Sequence, residues 1–112
     1  MIRSQFTSLL TNLQKIESTI NDSKGPAYAG SDDALANFKR IGDRVQIDPK
    51  KVAMIYWLKH IDSIISYVNG NKSDPEPIEM RIADARLYPV LLLGLIQDEK
   101  ATAELARSLD IS

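Results

Sequence analysis

DPKKVAMIYWLKHIDSIISYVNG, residues 48–70, decides the fold. Asp48 followed by Pro49 opens a helix: the carboxylate caps free N–H groups, and the proline ring already holds a helical φ. Asn69 and Gly70 supply the stop. Between them Met54, Trp57, Leu58, Ile61, Ile65 and Val68 recur three and four residues apart, the spacing of one helical face, and are expected to point inward.

Upstream, Ile2, Phe6, Leu9, Leu10, Leu13, Ile16 and Ile20 draw a similar stripe along a helix of about residues 2–21. NDSKGPAYAG, residues 21–30, is rich in turn formers and predicts a loop. Ser31 then serves as N-cap of a second helix, with Asp32 and Asp33 in its first turn against the positive end of the dipole. Leu35, Phe38, Ile41 and Val45 form its inner face. Downstream of a polar loop, Pro77 starts a fourth helix bearing Ile78, Ile82, Ala85, Leu92 and Ile96, and the interior Pro89 predicts a bend near 85–89. The tail beyond it, with a thin stripe of Leu105 and Leu109, either docks separately or continues the fourth helix. No stretch alternates apolar and polar residues as a strand does. The expected fold is an all-α, single-domain, four- to five-helix antiparallel bundle over residues 1–112.

Composition narrows the function. Fourteen lysines and arginines against 15 aspartates and glutamates give a net charge of −1, which leaves no field to hold a polyanion, so no nucleic-acid partner is expected. The chain has no cysteine, which removes disulfides and thiolate chemistry and fits a reducing compartment. The N-terminus lacks the apolar core of a signal peptide, and the longest apolar run, YPVLLLGLI at 88–96, is far short of the roughly 20 residues that span a bilayer. A cytoplasmic protein with no membrane partner is expected.

Two polar constellations stand out. On the third helix Tyr56, Lys59, His60, Ser63 and Tyr67 share a face that is either a solvated surface or a ligand wall. On the fourth, Arg81, Asp84 and Tyr88 share a stripe that is either a structural ion pair or part of a site. Glu76, Glu79 and Asp84 invite a magnesium reading, yet only Glu76 and Glu79 lie one turn apart. No metal or other cofactor is expected outside that alternative. His60 is the sole histidine, and no nucleophile elbow, P-loop or dinucleotide-binding glycine motif occurs.

The order YAGSDDALANFKRIG (28–42), VAMIYWLKHIDSI (52–64), EPIEMRIADARLYPVLL (76–92) resembles the nucleotide modification associated domain family of small helical phage and prophage proteins, over about residues 26–96. The resemblance singles out Tyr28, Gly30, Asn37, Phe38, Lys59, Glu76, Asp84 and Tyr88, with Ala29 separating a tyrosine and glycine that the family tends to hold adjacent. It implies a nucleotide-like ligand, through the phage setting and a likeness to all-α nucleotide pyrophosphatases of the MazG type. Since Asp32 and Asp33 occupy the positive end of the second helix, phosphate is expected at Lys59, His60, Arg81 or Arg86 rather than there.

The resulting expectation is a phage-type binder of a nucleotide or nucleotide-derived small molecule, held by Tyr28, Asn37, Phe38, Tyr56, Lys59, His60, Arg81, Asp84 and Tyr88, in the manner of a sponge for a host nucleotide signal. Magnesium-dependent nucleotide hydrolysis and a ligand-free protein-interaction module are the alternatives. The surplus of apolar surface on the first helix and on 90–96 further predicts a homo-oligomer, most simply a twofold dimer joined there.

Overall fold

The computed structural model describes residues 1–29 and 32–111, the side chains of 23–29 and of 111 excepted. Four helices follow in chain order: α1 (Arg3–Ala29), α2 (Ala36–Val45), α3 (Pro49–Val68) and α4 (Ile78–Ile111). They pack together in an all-α fold, and no strand occurs among the described residues. The C-terminal tail is not a fifth element, because α4 runs unbroken through Pro89 to Ile111.

The loop expected over 21–30 is instead helical as far as Ala29. Each residue added to an existing helix gains a hydrogen bond, and Asn21, Asp22 and Ser23 oppose this by only about half a kcal/mol each. The run holds even through Gly25 and Pro26. Gly30 and Ser31 lie outside the described residues, as does the Tyr28 side chain. α2 starts later than a cap at Ser31 implies, so Asp32 and Asp33 precede it rather than fill its first turn. Asp33 still organises that start: its Oδ1 accepts the Leu35 N–H at 2.9 Å, and its carbonyl accepts the Ala36 N–H at 3.1 Å.

At the other end of α2, Gln46 adopts the left-handed conformation, φ 58°, and donates its N–H to the Gly42 carbonyl, which also accepts from Ile47 at 2.9 Å. Gly42 is demanded by this close turn, since a Cβ there would stand 2.6 Å from the Ile47 carbonyl oxygen. The chain then enters α3 as its sequence dictates. Asp48 Oδ1 accepts the Lys50 N–H at 2.9 Å, Pro49 fills the first turn, and the helix gives way at Asn69 to Gly70, φ 99°. Lys50 near the start of α3 reaches Glu99, and Ser63 further along meets Arg81, so α3 and α4 run antiparallel.

The core joins Leu35 and Phe38 to Val52 and Ala53 of α3 and Leu95 of α4, with Ile41, Tyr56, Tyr88 and Leu91 packed on it. α1 contributes the buried Ile20 and ties Glu17 Oε1 to Arg86 Nε at 2.8 Å, a contact whose angle is that of an ion pair rather than a hydrogen bond.

The inward face of α3 differs from expectation. Met54, Leu58, Ile65 and Val68 are exposed, as is Val45 of α2, while Val52 and Ala53 are buried. Helical periodicity says which residues share a face but not which face a neighbour takes. Here α4 decides it: Arg81 is 6% exposed, and a buried guanidinium needs acceptors, which the Ser63 side of α3 supplies.

Candidate functional site

The polar face of α3 is not a solvated surface. Tyr56, His60, Ser63 and Tyr67 are partly buried against their neighbours, and only Lys59 remains exposed. Phe38 of α2 lies 6.1 Å from Tyr56 and 6.3 Å from Tyr88, ring centroid to centroid, with the latter pair edge to face. His60 and Tyr88 lie 4.9 Å apart with planes inclined by 35°. Three helices thus each contribute to one aromatic row, in geometries that the ring quadrupole favours.

Two charged groups border this row without being neutralised. Lys59 Nζ lies 6.0 Å from the Tyr56 ring centroid, at the outer limit of a cation–π contact. Asp84, partly buried, stands one turn before Tyr88 on α4. Among the described residues neither has an ion-pair or hydrogen-bond partner. The row with these two groups offers flat faces, a cation, an anion and an imidazole within about two helical turns.

Arg81 belongs to a different cluster. Its Nη1 donates to the carbonyl and the hydroxyl of Ser63, both at 3.1 Å, and its guanidinium lies 5.3 Å from the Tyr67 ring, whose centroid is also 5.3 Å from Lys72 Nζ. Asp74 approaches to 3.9 Å, and Arg81 Nε has no hydrogen-bond partner. The arginine therefore anchors the α3–α4 connection, and the Arg81–Asp84 pair allowed by helical spacing is not formed. Arg86 is likewise engaged, with Glu17, and the Asn37 side-chain oxygen accepts from Arg40 at 2.5 Å. Phe38, Tyr56, Lys59, His60 and Tyr88 are joined by these ring contacts, and Asp84 stands one turn before Tyr88 on α4, whereas Arg81 and Asn37 are committed elsewhere.

The carboxylates do not assemble for a cation. Glu76 and Glu79 are exposed, and no three carboxylate or imidazole groups among the described residues are placed to hold a metal. A shallow depression between Met1, Arg3 and Phe6 contains none of the candidate residues. Among the described residues no helix is long and apolar enough to cross a membrane.

Perturbed titrations occur near the starts of α2 and α3. Lys39 holds Asp33 below the ordinary carboxylate range, helped by the Leu35 N–H, and is itself raised by Asp33 and Asp98. The Lys50 N–H and ammonium lower Asp48, while Glu99 and then Asp48 raise Lys50. These exposed pairs tie α2 and α3 to α4. Sequence reasoning missed Ser63 as the partner of Arg81, a contact spanning 18 residues that no local pattern signals. Comparison of the chain with protein-family models, with curated proteins and with solved structures gives no match.

Proposed function

We propose that this protein binds a nucleotide or nucleotide-derived small molecule beside the aromatic row of α2, α3 and α4, without turning it over. The observation that carries the reading is the pair of unneutralised charges, Lys59 beside the Tyr56 ring and Asp84 one turn before Tyr88, whose ring meets His60 at a tilt. An ammonium suits a phosphate, a carboxylate suits the hydroxyls of a ribose or the amino group of a base, and the Tyr56 face suits the base itself. The resemblance to the nucleotide modification associated domain supports the same ligand class and suggests a phage-type protein that sequesters a host nucleotide signal. Binding is favoured over magnesium-dependent hydrolysis because Glu76, Glu79 and Asp84 do not form a cation-binding group.

Isothermal titration against nucleoside mono- and triphosphates, cyclic dinucleotides and ADP-ribose derivatives tests the proposal. Binding by one member, weakened about tenfold or more by Lys59→Ala or Asp84→Asn, is expected. Silence across the panel overturns it, and released phosphate or pyrophosphate in the presence of magnesium would replace it with the hydrolytic reading. A second reading, a helical interaction module, is favoured by one specific observation: Met54, Leu58, Ile65 and Val68 all lie exposed on α3.

A further inference from the structure

The chain exposes more surface than its mass requires. Its accessible area is 8241 Å², whereas a compact 12.5 kDa monomer presents about 6,200 Å². Its radius of gyration is 17.3 Å against about 13 Å for a compact domain of this length. The surplus of roughly 2,000 Å² exceeds the ~800 Å² that each partner buries in a standard stable interface.

The outer face of α3 has a pattern that identifies its occupant. By the helix advance of about 100° per residue, Lys51, Ile55, Leu58, Asp62 and Ile65 fall within a sector of roughly 80°, opposite the face that meets α4. Lys51 and Asp62 are both exposed, and among the described residues neither has an ion-pair partner. Lys51 and Asp62 are equally spaced in sequence about the point between Tyr56 and Trp57. So are Ile55 and Leu58, both more than half exposed.

We infer that α3 packs antiparallel against α3 of a second copy, about a twofold axis that crosses it between Tyr56 and Trp57. That arrangement sets Lys51 of each copy against Asp62 of the other and closes Ile55 on Leu58 across the axis. A parallel pairing would instead place Lys51 against Lys51 and Asp62 against Asp62, an arrangement that like charges penalise. The residues that α3 leaves uncovered thus have a self-complementary order, as an isologous interface requires. This seam lies on α3, not on α1 and 90–96. Of the α1 stripe, Leu13, Ile16 and Ile20 are covered to varying degree within one chain, and the exposed Ile2, Phe6, Leu9 and Leu10 carry no pair of unpartnered opposite charges placed symmetrically about them.

Light scattering coupled to size exclusion at micromolar concentration should give twice the 12.5 kDa chain mass. Leu58→Asp should reduce it to the chain mass with helical circular dichroism retained. Charge reversal keeps the inference falsifiable should that variant fail to fold. Lys51→Glu and Asp62→Lys should each weaken self-association by about tenfold or more, and an equimolar mixture of the two variants should recover the dimer, because only the heterodimer restores both opposite-charge pairs. A wild-type chain of monomer mass overturns the inference. So do reversal variants that each remain as dimeric as the wild type, or a mixture that stays monomeric.

Discussion

The imidazole of His60 lies against the ring of Tyr88, centroids 4.9 Å apart, and this contact is where α3 and α4 share their aromatic surface. Tyr88 also presents its ring to Phe38 at 6.3 Å, so one side chain joins three helices. Tyr88→Ala should destabilise the fold by about 2–3 kcal/mol, while Tyr88→Phe, which keeps the ring, should cost less than about 1.5 kcal/mol. Urea unfolding measures both, and equal losses would show that ring packing is not what this position contributes.

Glycines 42 and 94 predict opposite outcomes from the same substitution. Gly42→Ala drives a Cβ to 2.6 Å from the Ile47 carbonyl oxygen and 3.3 Å from the Pro49 ring, against backbone that cannot yield without moving the start of α3. A loss of about 1–3 kcal/mol is expected. At Gly94 the new methyl would meet the Leu35 methyl groups at 3.5 and 3.6 Å, ordinary contact distances, inside a helix that disfavours glycine. Gly94→Ala should therefore stabilise by up to about 1 kcal/mol. Thermal melting of the two variants side by side decides the signs.

Arg81→Ala removes a buried side chain that bonds Ser63 twice and covers Tyr67, and should cost about 2–3 kcal/mol. Arg81→Lys should recover less than half of that loss, because an ammonium lacks the flat group that lies on the ring while serving both acceptors. Ser63→Ala leaves the carbonyl acceptor in place and should cost about 1 kcal/mol. Denaturant midpoints across the three variants rank these contributions, and full rescue by lysine would sink the account of planar stacking.

Stability should fall towards both the acid and the alkaline end of the pH range. Asp33 and Asp48 titrate below the ordinary aspartate value in the folded chain, so what they contribute is present above that ordinary value and is lost as pH drops through their lowered folded values. Lys39 and Lys50 titrate above 10.5, so their contribution is complete below that value and is lost as pH climbs through the raised folded values. The pairs are exposed, and high salt should flatten both shoulders by screening. Chemical denaturation at a series of pH values, in low and high salt, checks the shape.

Local chemistry was legible in the sequence and register was not. Asp48, Pro49, Asn69 and Gly70 act on backbone within a few residues, and α3 begins and ends where they place it. The aromatic neighbourhood was legible in part because Tyr56 and His60 share a helical face and Tyr88 is an evident partner. Arg81 could not be assigned from spacing alone, since its acceptor depends on how far α3 slides along α4. The same holds for the outward turn of Leu58 and Ile65, because an amphipathic helix with two competent faces takes its orientation from its neighbour. The helical stretch through Gly25 and Pro26 shows the limit of reading turn formers as breaks when a long helix precedes them.

Lys39 and Lys50, from two different helices, grip the adjacent carboxylates Asp98 and Glu99, and from residue 97 to 110 every position on α4 is exposed. One continuous rod is therefore two thermodynamic objects. Ahead of this double clasp, an amide opens to solvent only when the packed helices part. Beyond it, an amide is guarded by little more than the cost of unwinding an exposed helix that packs on nothing else among the described residues. Hydrogen–deuterium exchange along α4 should consequently show a step rather than a gradient, with protection dropping just after Glu99, and Lys39→Ala with Lys50→Ala should move that step towards Leu95.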